Sequence, residues 1–203
     1  MNFIWKRYTA KDPIRNPYPN SKSSNMTFDN YSIRLINSED TEQLLALVNT
    51  NRSRISNYFQ KTSKAVYDRS SAKTYIKASI RAANMKEHFC FVIEDTVENK
   101  LTGVIFLKKF DWAIPKCELG YFIDKEKEGK GITTKALAKI INYCFDSLKL
   151  NKLFLRAAVD NFQSKKVAEK NGFITEGILR KDFKTQDGVL IDVVYYGLLR
   201  EKV

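Results

Sequence analysis

The order of apolar patterns in this chain predicts a mixed α/β (α+β) fold: a mostly antiparallel sheet of about seven strands containing one parallel pair. Three observations carry that prediction. Three strand-like runs follow one another over residues 89–123 with short links, as an antiparallel meander does. A helical stripe then separates the last of them from another buried run, and a strand that returns after a helix runs parallel to its neighbour. Two further runs flank Asp187-Gly188, the strongest short hairpin signal present.

The first stretch, Met1 to Thr27, holds Pro13, Pro17 and Pro19, and sets Lys6, Arg7, Lys11, Arg15 and Lys22 against Asp12. Its apolar trio Phe3-Ile4-Trp5 is too short for a signal sequence or a membrane span. It reads as an irregular basic extension, solvated or lying on a neighbouring subunit of a homodimer, with a charge that suits an acidic protein partner. Residues 28–203 then form a single domain, and 203 residues are ample for one core.

Within that domain, Tyr31 to Ile36 alternates like a half-buried strand. Ser38-Glu39-Asp40 supplies a cap and acids for a helix that carries Thr41, Leu44, Leu45 and Val48 on one face. Residues 49–64 lack a clear period and read as a continuing helix and loop. Ala72, Tyr75, Ile76, Ser79, Ile80 and Ala83 predict a second helix, roughly Ser71 to Met85. The meander strands are Phe89 to Glu94, Leu101 to Phe110 and Lys116 to Ile123, the last entered through Pro115. Gly129 and Gly131 then open a helix with an apolar stripe of Leu137, Ile140, Ile141, Cys144, Phe145 and Leu148. Lys152 to Val159 is a buried strand. Asp160 to Ser164 starts another helix, which passes through Val167 and Ala168 and stops at Asn171-Gly172. The hairpin strands are Phe173 to Phe183 and Val189 to Leu199.

Composition excludes several chemistries. Cys90, Cys117 and Cys144 are odd in number and irregularly spaced, which argues against a disulfide framework or a CxxC metal site and for a reducing cytoplasm. The one histidine, His88, rules out a site needing two imidazoles, and no metal site is expected. A net charge of +12 favours polyanions and acidic protein surfaces. The charges are spread along the chain, however, and no RNP-type strand, zinc-finger spacing or recognition helix accompanies them, so nucleic acid is not the expected partner.

The chemistry points to Glu128-Gly129-Lys130-Gly131-Ile132-Thr133-Thr134. Free backbone N–H groups at a glycine turn, beside the positive end of a helix dipole, hold phosphate. A P-loop would need glycine at 124 and Ser or Thr at 131, where Asp124 and Gly131 stand, and a dinucleotide fingerprint would need glycine in place of Thr134. A pyrophosphate site of another kind and simple turn chemistry at the entry of a helix remain.

That turn belongs to a longer set of blocks: Glu118-Leu-Gly-Tyr-Phe-Ile123, Glu128 to Thr134, and Asn161-x-x-Ser164-x-x-Val167-Ala-Glu-Lys-x-Gly172-Phe. Arg34-Leu35, Asn51-Arg52, Glu176-Gly-x-Leu-Arg180 and Asp192 to Leu199 extend it from about 31 to 200. Together they resemble the GNAT acyl-CoA N-acyltransferase superfamily, and most of all the branch that acetylates amino termini of ribosomal proteins. The resemblance implies a twisted sheet splayed at its central parallel pair, with helices on both faces and acetyl-CoA in the splay. Tyr121, Phe122 and Ile123 would pair with the pantetheine arm through their backbone, Glu128 to Thr134 would wrap the pyrophosphate, and Asn161 and Ser164 would hold the arm from the next helix. Where the family has Gln or Arg, three residues before the first glycine, this chain has Glu126.

Direct attack by an amine is implied, with no covalent intermediate. Glu118 is the candidate general base, on the expectation that burial raises its pKa. Asp182 is a second carboxylate candidate, and Ser164 stands in for the family's tyrosine, whose position is Ala168 here, as acid to the leaving thiolate. Asn51, Arg52, Tyr58, Tyr195 and Tyr196 are the candidate acceptor contacts. The preferred acceptor is a protein N-terminal amine. A small-molecule amine such as an antibiotic or polyamine is the alternative, and a non-catalytic ribosome- or nucleic-acid-binding module is a third reading.

Overall fold

The computed structural model describes residues 25–200. The prolines and cations of the basic extension lie in 1–24, outside the described residues. Eight strands form one sheet: β1 (Met26–Phe28), β2 (Tyr31–Leu35), β3 (Phe89–Asp95), β4 (Lys100–Asp111), β5 (Lys116–Ile123), β6 (Lys152–Ala158), β7 (Ile174–Lys184) and β8 (Leu190–Leu199). Their order is β1-β2-β3-β4-β5-β6-β8-β7, and every pair is antiparallel except β5 and β6. The strand beyond the seven expected, β1, has three residues, too few for alternation to show; it exists through its pairing with β2.

Five helices flank the sheet: α1 (Thr41–Ile55), α2 (Gln60–Ala65), α3 (Arg69–Asn84), α4 (Ile132–Asn142) and α5 (Phe162–Lys170). Asn37 caps the 3-10 turn Ser38–Asp40 that leads into α1. Its side chain accepts from Glu39 N, while the Asp40 carboxylate accepts from Asn37 N at 2.8 Å and grips Arg34 at 2.8 Å. The aperiodic stretch 49–64 resolves into the end of α1, a turn and short α2. Its pattern is broken because fully buried Asn51 occupies a position on the inward face that an apolar residue would normally fill.

On one face, Leu44, Leu47 and Val48 of α1 and Ala72 and Ile76 of α3 pack against Val92, Val104, Phe106 and Phe122. On the other, Ile132, Ala136, Leu137, Ile140 and Ile141 of α4 pack against Ile105, Leu107, Leu119, Ile123 and Leu155, joined by Ala168 of α5. Burial of each such aliphatic side chain contributes about 1.5–3 kcal/mol, which fixes the amino end of α4 against the sheet.

The parallel pairing runs from Lys116↔Lys152 to Leu119↔Leu155 and stops there. Beyond it β5 stays with β4 as far as Gly103↔Ile123, while β6 stays with β8 as far as Ala158↔Val193. The sheet therefore splits at its centre. Two register shifts lie near the split: one in β4 between Lys108 and Asp111, with Lys109 at φ +52°, and one in β7 between Leu179 and Phe183, with Lys181 at φ +51°. Left-handed non-glycine residues in strands mark bulges that re-aim side chains.

Candidate active site

A cavity of about 550 Å³ occupies the split. It is lined by Gly120 to Ile123 of β5, Arg156 to Ala158 of β6, the glycine turn, the first turns of α4 and α5, and Tyr58 and Phe59 beyond α1. Past Leu119 the β5 edge that faced β6 has no strand beside it, so its backbone groups are open to an extended ligand.

At one end of the cavity, Asp124 caps the short 3-10 turn Lys125–Lys127 by accepting from Glu126 N at 3.3 Å. Gly129 and Gly131 follow at φ +73° and +76°. A Cβ at either would meet nothing within 4 Å, so the requirement for glycine comes from the left-handed backbone alone. Gly131 is the N-cap of α4 and no side chain caps that helix. Its first backbone bond is Lys135 N to Gly131 O at 3.1 Å, which leaves the N–H groups of Ile132, Thr133 and Thr134 directed to the cavity end they line. Arg54, Lys166 and Lys170 line the same cavity. Lys127 also reaches it, with its Nζ on Asp95 at 2.9 Å and on Glu98 at 2.5 Å.

Across the cavity stands the start of α5. Asn161 Oδ1 accepts from Ser164 N at 3.0 Å, and Tyr121 Oη donates to Ser164 O at 3.1 Å, so the central strand and this helix are tied together at the split. Burial pushes the Tyr121 phenol well above its ordinary pKa.

The opposite end carries charge. Glu118 is 3% exposed, with Lys109 Nζ at 2.8 Å, Lys108 Nζ at 3.4 Å and Arg156 Nη2 at 3.4 Å. Arg156 Nη1 in turn holds Asp182 at 2.7 Å. The two bulges produce this arrangement: one brings adjacent Lys108 and Lys109 to the same carboxylate, and the other brings Asp182 to Arg156. The expectation that burial raises the Glu118 pKa is corrected here. Desolvation does push it up, but Lys108, the hydrogen bond from Lys109 and the charge of Arg156 outweigh it and hold the carboxyl below its ordinary value. Burial, together with Lys109 and Arg156, lowers the Lys108 pKa, against the raising pull of Glu118.

The cavity thus brings together Glu118, Tyr121, Phe122, Ile123, Glu128, Gly129, Gly131, Ile132, Thr133, Thr134, Asn161, Ser164 and Tyr58. Other sequence candidates lie elsewhere. Lys130 is exposed outside the lining, and Asp182 touches the site through Arg156. Asn51 is buried in α1, bonded to the turn that precedes Gly129. Arg52 donates to Ser63 O and Val66 O, stitching α1 to α2. Tyr195 stacks on Phe154 with centroids 5.1 Å apart, and Tyr196 is buried with Oη donating to Glu169 Oε1 at 3.2 Å. The sequence assigns no site role to Arg54, Phe59, Lys108, Arg156, Lys166, Lys170 or Phe183, all of which line the cavity. Spacing carried part of that signal: Arg54 follows Asn51 by three and Lys170 follows Lys166 by four, which puts each pair on one helix face.

Comparison with known proteins agrees with this geometry. The family model described as an acetyltransferase (GNAT) domain matches residues 31–174. The Bacillus subtilis (strain 168) protein YdaF, which carries the name of a ribosomal N-acetyltransferase, is 35% identical over 181 residues, covering 86% of this chain and 93% of its own. A spermidine N(1)-acetyltransferase of Vibrio cholerae is 32% identical over 93 residues, covering 46% of this chain and 53% of its own. The solved structure of the microcin C7 self-immunity acetyltransferase MccE in complex with acetyl-CoA and AMP is 25% identical, covers 85% of this chain and 94% of that one, and has a TM-score of 0.77.

Proposed function

The chain belongs to the GNAT acetyltransferase family, acyl-CoA-dependent N-acetyltransferases that use acetyl-CoA, and from that premise we propose that its acceptor is the α-amine at a protein's N-terminus. The residues present fit the donor. The unpaired β5 edge suits pantetheine amides, and the uncapped N-terminus of α4 with its left-handed glycines suits a pyrophosphate. On this reading Gly120 to Ile123 receive the arm, Glu128 to Thr134 the pyrophosphate, and Asn161 orders the first turn of α5 beside both.

The observation that carries the choice of acceptor is the charge at the far end of the cavity, where Lys108, Lys109 and Arg156 pair with Glu118 and Arg156 also pairs with Asp182. Three cations against two carboxylates leave a positive balance. An acceptor nitrogen attacks only when neutral, and a positive surrounding lowers the pKa of an incoming ammonium. An α-amine with pKa near 8 is already roughly a tenth neutral at pH 7, against about one part in 2,500 for a lysine amine. A polyamine would bring further positive charges to the same place. An acidic residue downstream of the acceptor's terminus would be favoured.

Bound acetyl-CoA supplies the acetyl group as an activated thioester. Glu118, ionised at neutral pH, orients the acceptor N–H and takes its proton towards solvent as the new N–C bond forms. On the same reading Ser164 Oγ–H gives a proton to the departing sulfur, and the bond from Ser164 N to Asn161 Oδ1 fixes its backbone. Asp182 fixes Arg156. Tyr58, whose ring lies 6.1 Å from that of Phe183, forms the wall the acceptor meets. Three free thiols, all buried, accord with a cytoplasmic setting. The similarity to spermidine N(1)-acetyltransferase keeps a polyamine acceptor as the second reading.

Thiol release from acetyl-CoA, followed with a free-amine peptide, an Nα-blocked lysine peptide and spermidine, tests the proposal. Fastest turnover with the free-amine peptide is expected. Preference for spermidine would replace the first reading with the second.

A further inference from the structure

The turn assigned above to the pyrophosphate contains a carboxylate. Glu128 stands directly before Gly129 and lines the same cavity. An unpaired carboxylate there would repel a diphosphate. Arg54 of α1 forms an ion pair with it, and both side chains are about three-quarters to two-thirds removed from solvent, at 26% and 33% exposure.

Arg54 does not reach the turn as a free arm. Its Nη1 donates to Asn51 Oδ1 at 2.7 Å and to Ile123 O, the last residue of β5, at 3.5 Å. The same Asn51 Oδ1 accepts from the backbone N of Lys125 at 3.0 Å, at the start of the 3-10 turn. Asn51 Nδ2 closes back on Leu47 O at 3.0 Å, and the residue is fully buried. A buried amide with its donor and acceptor both engaged is a rigid mount. The end of β5, the start of the 3-10 turn and Glu128 are therefore all held from α1, an element distant in sequence.

We propose that Arg54, mounted on Asn51, is a positioning residue for acetyl-CoA: it neutralises Glu128 and pins the glycine turn to α1, so that the N–H groups of the turn stand ready for the pyrophosphate. The proposal rests on the assignment of that turn to the pyrophosphate, and the experiment separates the two.

Steady-state kinetics are compared for acetyl-CoA and acetylpantetheine, which keeps the thioester and lacks the pyrophosphate and nucleotide. Arg54→Ala is expected to raise the KM for acetyl-CoA about tenfold with kcat within about twofold, while the KM for acetylpantetheine moves less than about twofold. Adding Glu128→Gln to Arg54→Ala removes the charge that Arg54 offsets, and brings the KM for acetyl-CoA back to within about threefold of wild type. An Arg54→Ala enzyme with unchanged KM for acetyl-CoA, or with equal losses on both donors, overturns the proposal. A double variant no better than the single one also overturns it. If the wild-type enzyme shows equal KM for the two donors, the assignment of the turn fails and the proposal falls with it. A wild-type preference for acetyl-CoA that Arg54→Ala retains removes the proposal alone.

Discussion

Glu118 shows how far one side chain's chemistry depends on residues remote from it. Its folded pKa lies below the ordinary carboxylate value, so its ionised form contributes stability above the unfolded pKa. That contribution is lost as pH falls through the lower folded value. Glu118→Gln leaves Lys108, Lys109 and Arg156 facing a neutral amide; all three are partly exposed, so the expected cost is about 1–3 kcal/mol at pH 7. Urea unfolding at pH 7 and at a series of lower pH values checks the sign, since the gap between wild type and variant should narrow as pH falls below the unfolded carboxylate pKa. A gap that does not narrow on acidification would show that packing and not charge is responsible. The position of Glu118 is readable from its motif, but the direction of its pKa is not. Lys108 and Lys109 arrive through hairpin register and a bulge, and Arg156 arrives through a parallel pair that closes a loop of more than thirty residues.

The glycine turn and the helix it opens are local, and local patterning was enough to find them. Gly131 sits at φ +76° with open space where a Cβ would go, so Gly131→Ala costs backbone strain without a clash, about 1–2 kcal/mol. The same strain displaces the N–H groups from the turn. The expected result is a lower unfolding free energy together with a several-fold higher KM for acetyl-CoA; a variant with wild-type KM would detach this turn from donor binding. The segment 49–64 was unreadable for the opposite reason. Its polar residues Asn51 and Arg52 are turned inward to satisfy backbone groups of Lys125, Ser63 and Val66, which no periodicity of apolar residues records.

The cavity exists only in the whole molecule, because its two sides belong to the two halves of the split sheet. One side is α1, the turn after it and β5; the other is β6, β8 and β7. Tyr58 meets Phe183 at 6.1 Å, and Gln60 Nε2 donates to Lys184 O at 2.7 Å, so the halves touch again above the cavity. Tyr58→Ala opens that contact. On the proposed function it raises the KM for the acceptor about three- to tenfold and leaves the KM for acetyl-CoA unchanged, because truncating one aromatic wall removes contact with one substrate only. Equal changes in both constants would mean that Tyr58 supports the cavity as a whole. Residues 25–200 include no helix long and apolar enough to cross a membrane.

Local pattern set the order of strands and helices apart from β1 and α2, the Asp187-Gly188 hairpin, the parallel return after α4 and the glycine turn, since each depends on neighbours within a few residues. The motifs that resemble the GNAT family, and not periodicity, singled out Glu118, Asn161 and Ser164. What neither could set was the company these residues keep. The engagement of Asn51 and Arg52 in the scaffold, the triple pairing of Glu118 and the clamp of Arg54 on Glu128 all arise where the central pairing ends and distant segments converge. Side chains meet there because of strand register, bulges and sheet splay, quantities that depend on contacts between residues far apart in the chain and leave no period in it.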